Sequence, residues 1–184
     1  MHETGVNLLK RQAEAVEIPL TILYFYGSGP EEEYKSAMAE QMEAFKKQGI
    51  TTALFGDLYL ERLRADRERS CAKSGMRAGF PLWKVPQEEI MRRFIALGFR
   101  AIVTCVDNEK LPDEFAGRII DEDFISALPK DVDMCGENGE YHSFVFDGPL
   151  FRHPVDFEIK RKYHREYAET DREALHRYCY VELE

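Results

Sequence analysis

Apolar residues near the start of the chain recur at helical spacing. Leu8, Leu9, Ala13 and Val16 form a one-sided stripe that predicts a helix from about Gly5 to Val16, which Pro19 stops. Leu20 to Tyr26 is apolar almost throughout, which predicts a central parallel strand covered on both faces, followed by a Gly27-Ser28-Gly29 loop. Tyr34, Met38, Met42 and Phe45 place a second stripe on a helix from about Pro30 to Gln48, with Glu31 to Glu33 at its positive end and Lys46 and Lys47 at the other. Ile50 to Phe55 reads as a strand and Leu58 to Lys73 as a highly charged helix. Phe80-Pro81-Leu82-Trp83 reads as a short edge strand, because proline cannot donate to a central ladder, and Gln87 to Leu97 as a helix stopped by Gly98.

Beyond Gly98 the pattern changes. Phe99 to Val106 is strand-like, Asp121 to Leu128 a short helix, Val155 to Ile159 alternates with period two, and a last strand falls near Tyr178 to Leu183. Alternation of helix and strand in the first half predicts an α/β unit with an incomplete Rossmann-like parallel sheet and helices, residues 1–90, followed by a smaller α+β domain, residues 91–184.

Candidate chemistry concentrates in Cys135 to Phe151. Asn138-Gly139 predicts a tight hairpin turn, because both residues accept positive φ, and Glu137 and Glu140 then bracket one bend. In the strand from Tyr141 to Phe146 a two-residue period puts Glu140, His142, Phe144 and Phe146 on one face, with Asp147-Gly148-Pro149 as the next turn. Asp57, after the second strand, sits where an open α/β sheet carries its functional loops; N-capping of the next helix is the competing local role. Trp83 reads by default as a packing residue, with ligand contact as its alternative.

The 34 acidic and 25 basic residues give a net charge of -9, which disfavours a nucleic-acid partner, and Lys160-Arg161-Lys162 reads as a solvated strand end. No apolar run approaches the roughly 20 residues of a membrane span, and the start lacks the regions of a signal peptide, so a cytoplasmic protein is expected. Cys71, Cys105, Cys135 and Cys179 are far apart with no Cys-x-x-Cys, so neither a disulfide framework nor a zinc knuckle is indicated, and no metal ligands are assigned.

Cys135-Gly136-Glu137-Asn138-Gly139-Glu140-Tyr141-His142-Ser143-Phe144-Val145, followed by Asp147-Gly148-Pro149-Leu150-Phe151, resembles the signature of the diphthine-ammonia ligase family. Phe55-Gly56-Asp57-Leu58, Arg67-Glu68, Phe80-Pro81-Leu82-Trp83 and Gly117-Arg118 with Asp121 and Phe124 agree in order, so the resemblance spans nearly the whole chain. It implies a PP-loop, adenine nucleotide alpha hydrolase-like ligase that uses ATP with Mg2+ to amidate diphthine on elongation factor 2 with ammonium, through an acyl adenylate, releasing AMP and pyrophosphate. A related ligase acting on another carboxylate and a non-catalytic binding module are the alternatives.

Under the resemblance Glu137, Glu140 and His142 are the expected catalytic groups. Gly136, Asn138, Gly139, Tyr141, Ser143, Asp147 and Trp83 are expected around the substrate, and Gly56, Asp57, Arg67 and Glu68 around the nucleotide. Diphthine's trimethylammonium group suits carboxylates and aromatic faces. The family's Ser-Gly-Gly-x-Asp-Ser phosphate loop does not occur in this sequence; Gly27-Ser28-Gly29-Pro30 lacks the Asp-Ser and is followed by three acids that would repel phosphate. Met1-His2 aligns with an internal Met-His of the family, so an opening unit of at least ~30 residues is expected to be absent, through a late start codon or truncation. The sheet edge this would expose favours self-association into a homo-oligomer.

Overall fold

The computed structural model describes residues 4–24, 31–168 and 175–184, in two compact units: Met1–Leu20 with Pro86–Glu184, and Thr21–Val85. The fold is mixed α/β, as expected, with a parallel sheet and helices in one unit and an antiparallel sheet in the other. The antiparallel, α+β unit is the larger of the two rather than the smaller. It also includes the first helix, so the units do not follow the sequence-predicted division at residue 90.

In the Thr21–Val85 unit, β1 (Thr52–Leu54) and β2 (Arg77–Gly79) pair in parallel, with α2 (Glu31–Lys47) and α3 (Glu61–Lys73) alongside. The core is Met42, Cys71 and Met76, with Met38, Ala53, Phe55 and Ala78 packed around it. Two expectations are corrected. Residues 21–24 form no strand and Tyr24 is exposed, because an all-apolar strand needs partners on both sides and the described ladder contains only β1 and β2. Phe80 to Trp83 turns instead of extending, with Trp83 N–H donating to the Phe80 carbonyl at 3.2 Å and Lys84 N–H to the Leu58 carbonyl at 2.7 Å. Phe25, Tyr26 and the Gly27-to-Pro30 loop lie outside the described residues.

The other unit is built on a four-stranded antiparallel sheet, β3 (Arg100–Asp107), β4 (Tyr141–Asp147), β5 (Ile159–Ala168) and β6 (Leu175–Leu183), in the order β4-β3-β6-β5. Strand β3 is buried at every residue from Ala101 to Asp107, as a strand with apolar cover on both faces must be. One face carries Val103, Val106, Tyr141 and Cys179 against Phe115 and Phe124; α4 (Gln87–Ala96) adds Met91, and α5 (Glu122–Ala127) supplies Phe124. The Asp121 carboxylate caps α5 by accepting the Phe124 N–H at 2.8 Å.

The opposite face carries Ile102, Phe144 and Phe146, covered by α1 (Val6–Ala15) through Leu8 and Ala15. Gln12, on the same helix face, donates its side-chain amide to the Val145 carbonyl at 2.5 Å. Val155 and Phe157 join this layer without the predicted strand: Val155 N–H reaches the Phe146 carbonyl at 2.7 Å, and β5 begins only at Ile159. Their period-two alternation is thus one of packing rather than ladder pairing. The basic residues Lys160 and Arg161 lie on β5, with Lys160 bridging Glu158 at 2.7 Å and Glu184 at 3.2 Å and Arg161 meeting Glu182 at 2.5 Å. No helix among the described residues is long and apolar enough to cross a membrane.

Phe124 is fully buried, with its ring edge-on to Phe115 at 5.7 Å and Tyr141 at 5.4 Å. Phe124→Ala should therefore cost about 3–5 kcal/mol in urea unfolding, whereas Leu54→Ala, at a residue 71% exposed, should move stability by no more than about 0.5 kcal/mol.

Candidate functional site

The acidic loop ahead of β4 is built around a buried carboxylate. Glu140, 4% exposed, lies one residue before the strand and accepts three hydrogen bonds. Its Oε1 takes the Asp133 N–H and the Asn138 side-chain amide, each at 3.1 Å, and its Oε2 takes the Asn138 N–H, also at 3.1 Å. A buried ionised carboxylate needs such donors, and backbone amides in a tight loop otherwise left without partners supply them. Glu140 is thus turned back into its own loop and does not continue the direction of His142 as strand alternation predicts.

Asp133, also buried, organises the other end of the loop. Its Oδ1 accepts the Cys135 N–H at 2.7 Å, the local turn that aspartate makes with the amide two residues on, and its Oδ2 accepts the Gln87 side-chain amide at 2.5 Å, joining the loop to the start of α4. The Tyr141 hydroxyl donates to the Met134 carbonyl.

Asn138-Gly139 is not a hairpin turn. The turn runs from Gly136 to Gly139, closed by Gly139 N–H to the Gly136 carbonyl at 3.0 Å, with positive φ at Gly136 and Gly139 but not at Asn138. Its cause is topological: β4 pairs with β3, more than thirty residues earlier, and the segment before the turn offers no adjacent strand. Gly136 has a packing role as well, since a Cβ there would stand 2.8 Å from the Tyr141 carbonyl.

The predicted residues separate accordingly. Tyr141 is buried, which withdraws its ring from a ligand, whereas Glu137 and His142 are half-buried and Asn138 and Ser143 exposed. His142 pairs with Cys105 across the ladder. Asp147 serves the next turn, its Oδ1 accepting the Gly148 N–H at 2.8 Å, with Arg100 3.7 Å from its other oxygen. Burial, then the charges of Asp133 and Glu137, pushes the Cys135 thiol up to about 12. The Tyr141 hydroxyl is also raised, first by burial and then by neighbouring Cys135, Asp133 and Glu140.

In the other unit the segments after β1 and β2, at the carboxyl ends of parallel strands, carry a second group of predicted residues. The Arg67 Nε lies 3.9 Å from Asp57 Oδ2, and its guanidinium stands 5.2 Å from the Phe55 ring centre. Asp57 does not cap α3, whose N-cap is Leu60. Glu68 pairs with Arg64 at 2.8 Å, and the Arg64 guanidinium covers Trp83 at 4.7 Å, so that ring already faces a cation of its own chain. Gly56 is exposed.

Sequence reasoning missed Asp133, although an aspartate two residues before Cys135-Gly136 is a legible turn signal. It also missed the pair of Asp107 and His176, 2.7 Å apart and 69 positions apart in sequence; His176 stacks on Tyr178 at 4.6 Å. Asp107 N–H bonds the Glu140 carbonyl at 2.9 Å, so this pair adjoins the loop through the ladder.

Glu140→Ala should orphan the buried Asp133 amide and cost roughly 1–3 kcal/mol in urea unfolding. Stability should also fall with pH above the ordinary thiol value of 9.0, where the unfolded chain loses the Cys135 proton and the folded chain keeps it until about 12. Chemical denaturation at pH 8 and pH 10.5 reads that slope, which Cys135→Ala should reduce.

Two sequence models, of the diphthamide synthase N-terminal domain and of the diphthamide synthase C-terminal domain, match residues 1–78 and 86–176. The mouse protein named diphthine–ammonia ligase is 28% identical over 171 residues, covering 84% of this chain and 64% of its own length; the human protein of that name is 26% identical with the same coverage. A fission yeast protein of that name is 32% identical over 89 residues, covering 46% of this chain and 15% of its own length. The chain thus spans less than two thirds of the mouse and human relatives. With both domain models matched in order along a chain whose acidic loop and strand-end cluster fall in separate units, the protein belongs to the diphthamide synthase family.

Proposed function

We propose that this chain serves the ATP-dependent amidation of a carboxylate, diphthine on elongation factor 2, through an acyl adenylate. ATP and the carboxylate give the adenylate and pyrophosphate; ammonia then attacks the acyl carbon and AMP leaves. Oxide is a poor leaving group and AMP a good one, so the adenylate makes the carbon open to ammonia. The observation that carries this reading is the Glu140-centred loop, an acidic turn held by its own amides within the region matched by the C-terminal domain model.

In this reading Glu140 and Asp133 are positioning residues. Glu137 offers its charge to the trimethylammonium group or to ammonium, and His142 takes the proton that ammonium must lose before it attacks. Tyr141 belongs to the framework that fixes the turn. On the nucleotide side, Asp57, held near Arg67, faces ATP or its Mg2+, with Gly56 permitting close approach and Glu68 fixing Arg64.

A second reading is a substrate-binding module without turnover, in which the Glu140-centred loop holds the modified factor and no adenylate forms.

Incubation with diphthine-bearing elongation factor 2, ATP, Mg2+ and ammonium, followed by mass spectrometry of the modified histidine and assay of AMP, separates the two. Conversion to the amide with stoichiometric AMP is expected, at least tenfold slower in Glu137→Ala with an unchanged unfolding midpoint. Binding of the modified factor without AMP release would establish the second reading, and equal turnover by Glu137→Ala would remove that residue's role.

A further inference from the structure

Away from the loop and the strand-end cluster, three side chains with metal-ligating atoms converge where the 3₁₀ turn Asp113–Phe115 meets the β5–β6 hairpin. An oxygen of Asp113, a ring nitrogen of His164 and the Cys179 sulfur all lie within 4.8 Å of one another. His164 and Cys179 are direct cross-strand partners, so the ladder itself sets them side by side on one face. Asp113 approaches over them, its Oδ2 2.8 Å from His164 Nε2.

From these positions we propose that Asp113, His164 and Cys179 form a site for a divalent transition metal of the zinc class.

The donor set decides the class. One thiolate, one imidazole and one carboxylate suit borderline zinc or cobalt, whereas magnesium and calcium require oxygen ligands. A tetrahedral ion with a bond of about 2.3 Å to sulfur and about 2.0 Å to nitrogen and oxygen needs its ligand atoms about 3.3–3.6 Å apart. Rotamer-scale adjustment of two exposed side chains meets that spacing. The carboxylate is aimed in advance: the Asn108 side-chain amide holds Asp113 Oδ1 at 2.8 Å, the type of outer hydrogen bond that orients metal ligands, and leaves Oδ2 towards His164 and Cys179.

Access and charge also fit. Asp113 and His164 have side chains 49% and 33% exposed, while Cys179 at 0% forms the floor, so an ion enters from solvent and a fourth position stays open to water. Burial, and after it the charge of Asp113, holds Cys179 as a thiol. Metal entry therefore displaces one proton to solvent as the sulfur lone pair forms the metal bond. Thiolate and carboxylate together neutralise a divalent ion. Of the neighbouring cations, Lys162 reaches the Asp113 backbone carbonyl at 3.4 Å rather than its carboxylate, and Arg177 acts on Asp113 through its charge. The ligands lie 51 and 15 positions apart, which no sequence spacing rule detects.

The test is titration of the full chain, stripped with a chelator and kept reduced, with Co2+. Expected are one equivalent bound, the near-ultraviolet thiolate-to-cobalt charge-transfer band, visible bands of tetrahedral intensity and displacement by Zn2+. Cys179→Ser should abolish the charge-transfer band, and His164→Ala, at an exposed strand position, should weaken Co2+ binding at least tenfold while the far-ultraviolet circular dichroism is unchanged. Absence of the band in the parent chain, its survival in Cys179→Ser, or undiminished affinity in His164→Ala overturns the proposal; the histidine variant decides it if the serine variant does not fold.

Discussion

A single buried carboxylate holds together the part of this protein with most of the chemistry. Ionised carboxylates are expensive to remove from water, and Glu140 is almost wholly removed. Its environment compensates through three N–H donors from residues within seven positions. The dependence is mutual: without the carboxylate the Asp133 amide loses its acceptor inside the protein, and without the turn the carboxylate loses its donors. A loop specified this way has one geometry, and Gly136, pressed against the Tyr141 carbonyl, leaves little room for another.

This arrangement divides labour among chemically similar groups. Glu137 and Glu140 differ by three positions, yet one is half-open to solvent and the other is committed to the chain's own amides. Asp57 in the other unit has a third environment, a part-buried carboxylate near a guanidinium. Chemical identity alone would assign all three the same role; partners and burial separate those able to meet a ligand from those that hold the backbone for it.

Much of the fold was legible because it rests on local rules. Helix α1 falls within a residue of its predicted limits, Asp121 caps α5, and the change from alternating helix and strand to a strand-rich half is a real change of architecture. What was not legible depends on non-local pairing. Val155 to Phe157 has a strand's period without a strand's ladder, and Asn138-Gly139 has a hairpin's composition without a hairpin's partner. The partition of the candidate site failed for the same reason: Glu140 points inward because Asp133 and Asn138 offer it amides, and strand alternation contains no information about that offer. Asp107 and His176 meet only because β6 inserts beside β3.

The placement of β6 orders the events of synthesis. It follows the other strands among the described residues in sequence, yet it lies in the sheet's interior, between β3 and β5. Any nascent chain that ends before Leu175 holds β5 without a neighbour and β3 with its second edge unmatched. The Thr21–Val85 unit is contained within one continuous stretch and has emerged whole by then, while α1, made ahead of that unit, must wait for the sheet it covers. Helix α1 and strand β6, which lie on either side of that unit in sequence, are therefore committed to the same unit, and a chain stalled before Leu175 exposes unpaired strand edges from it.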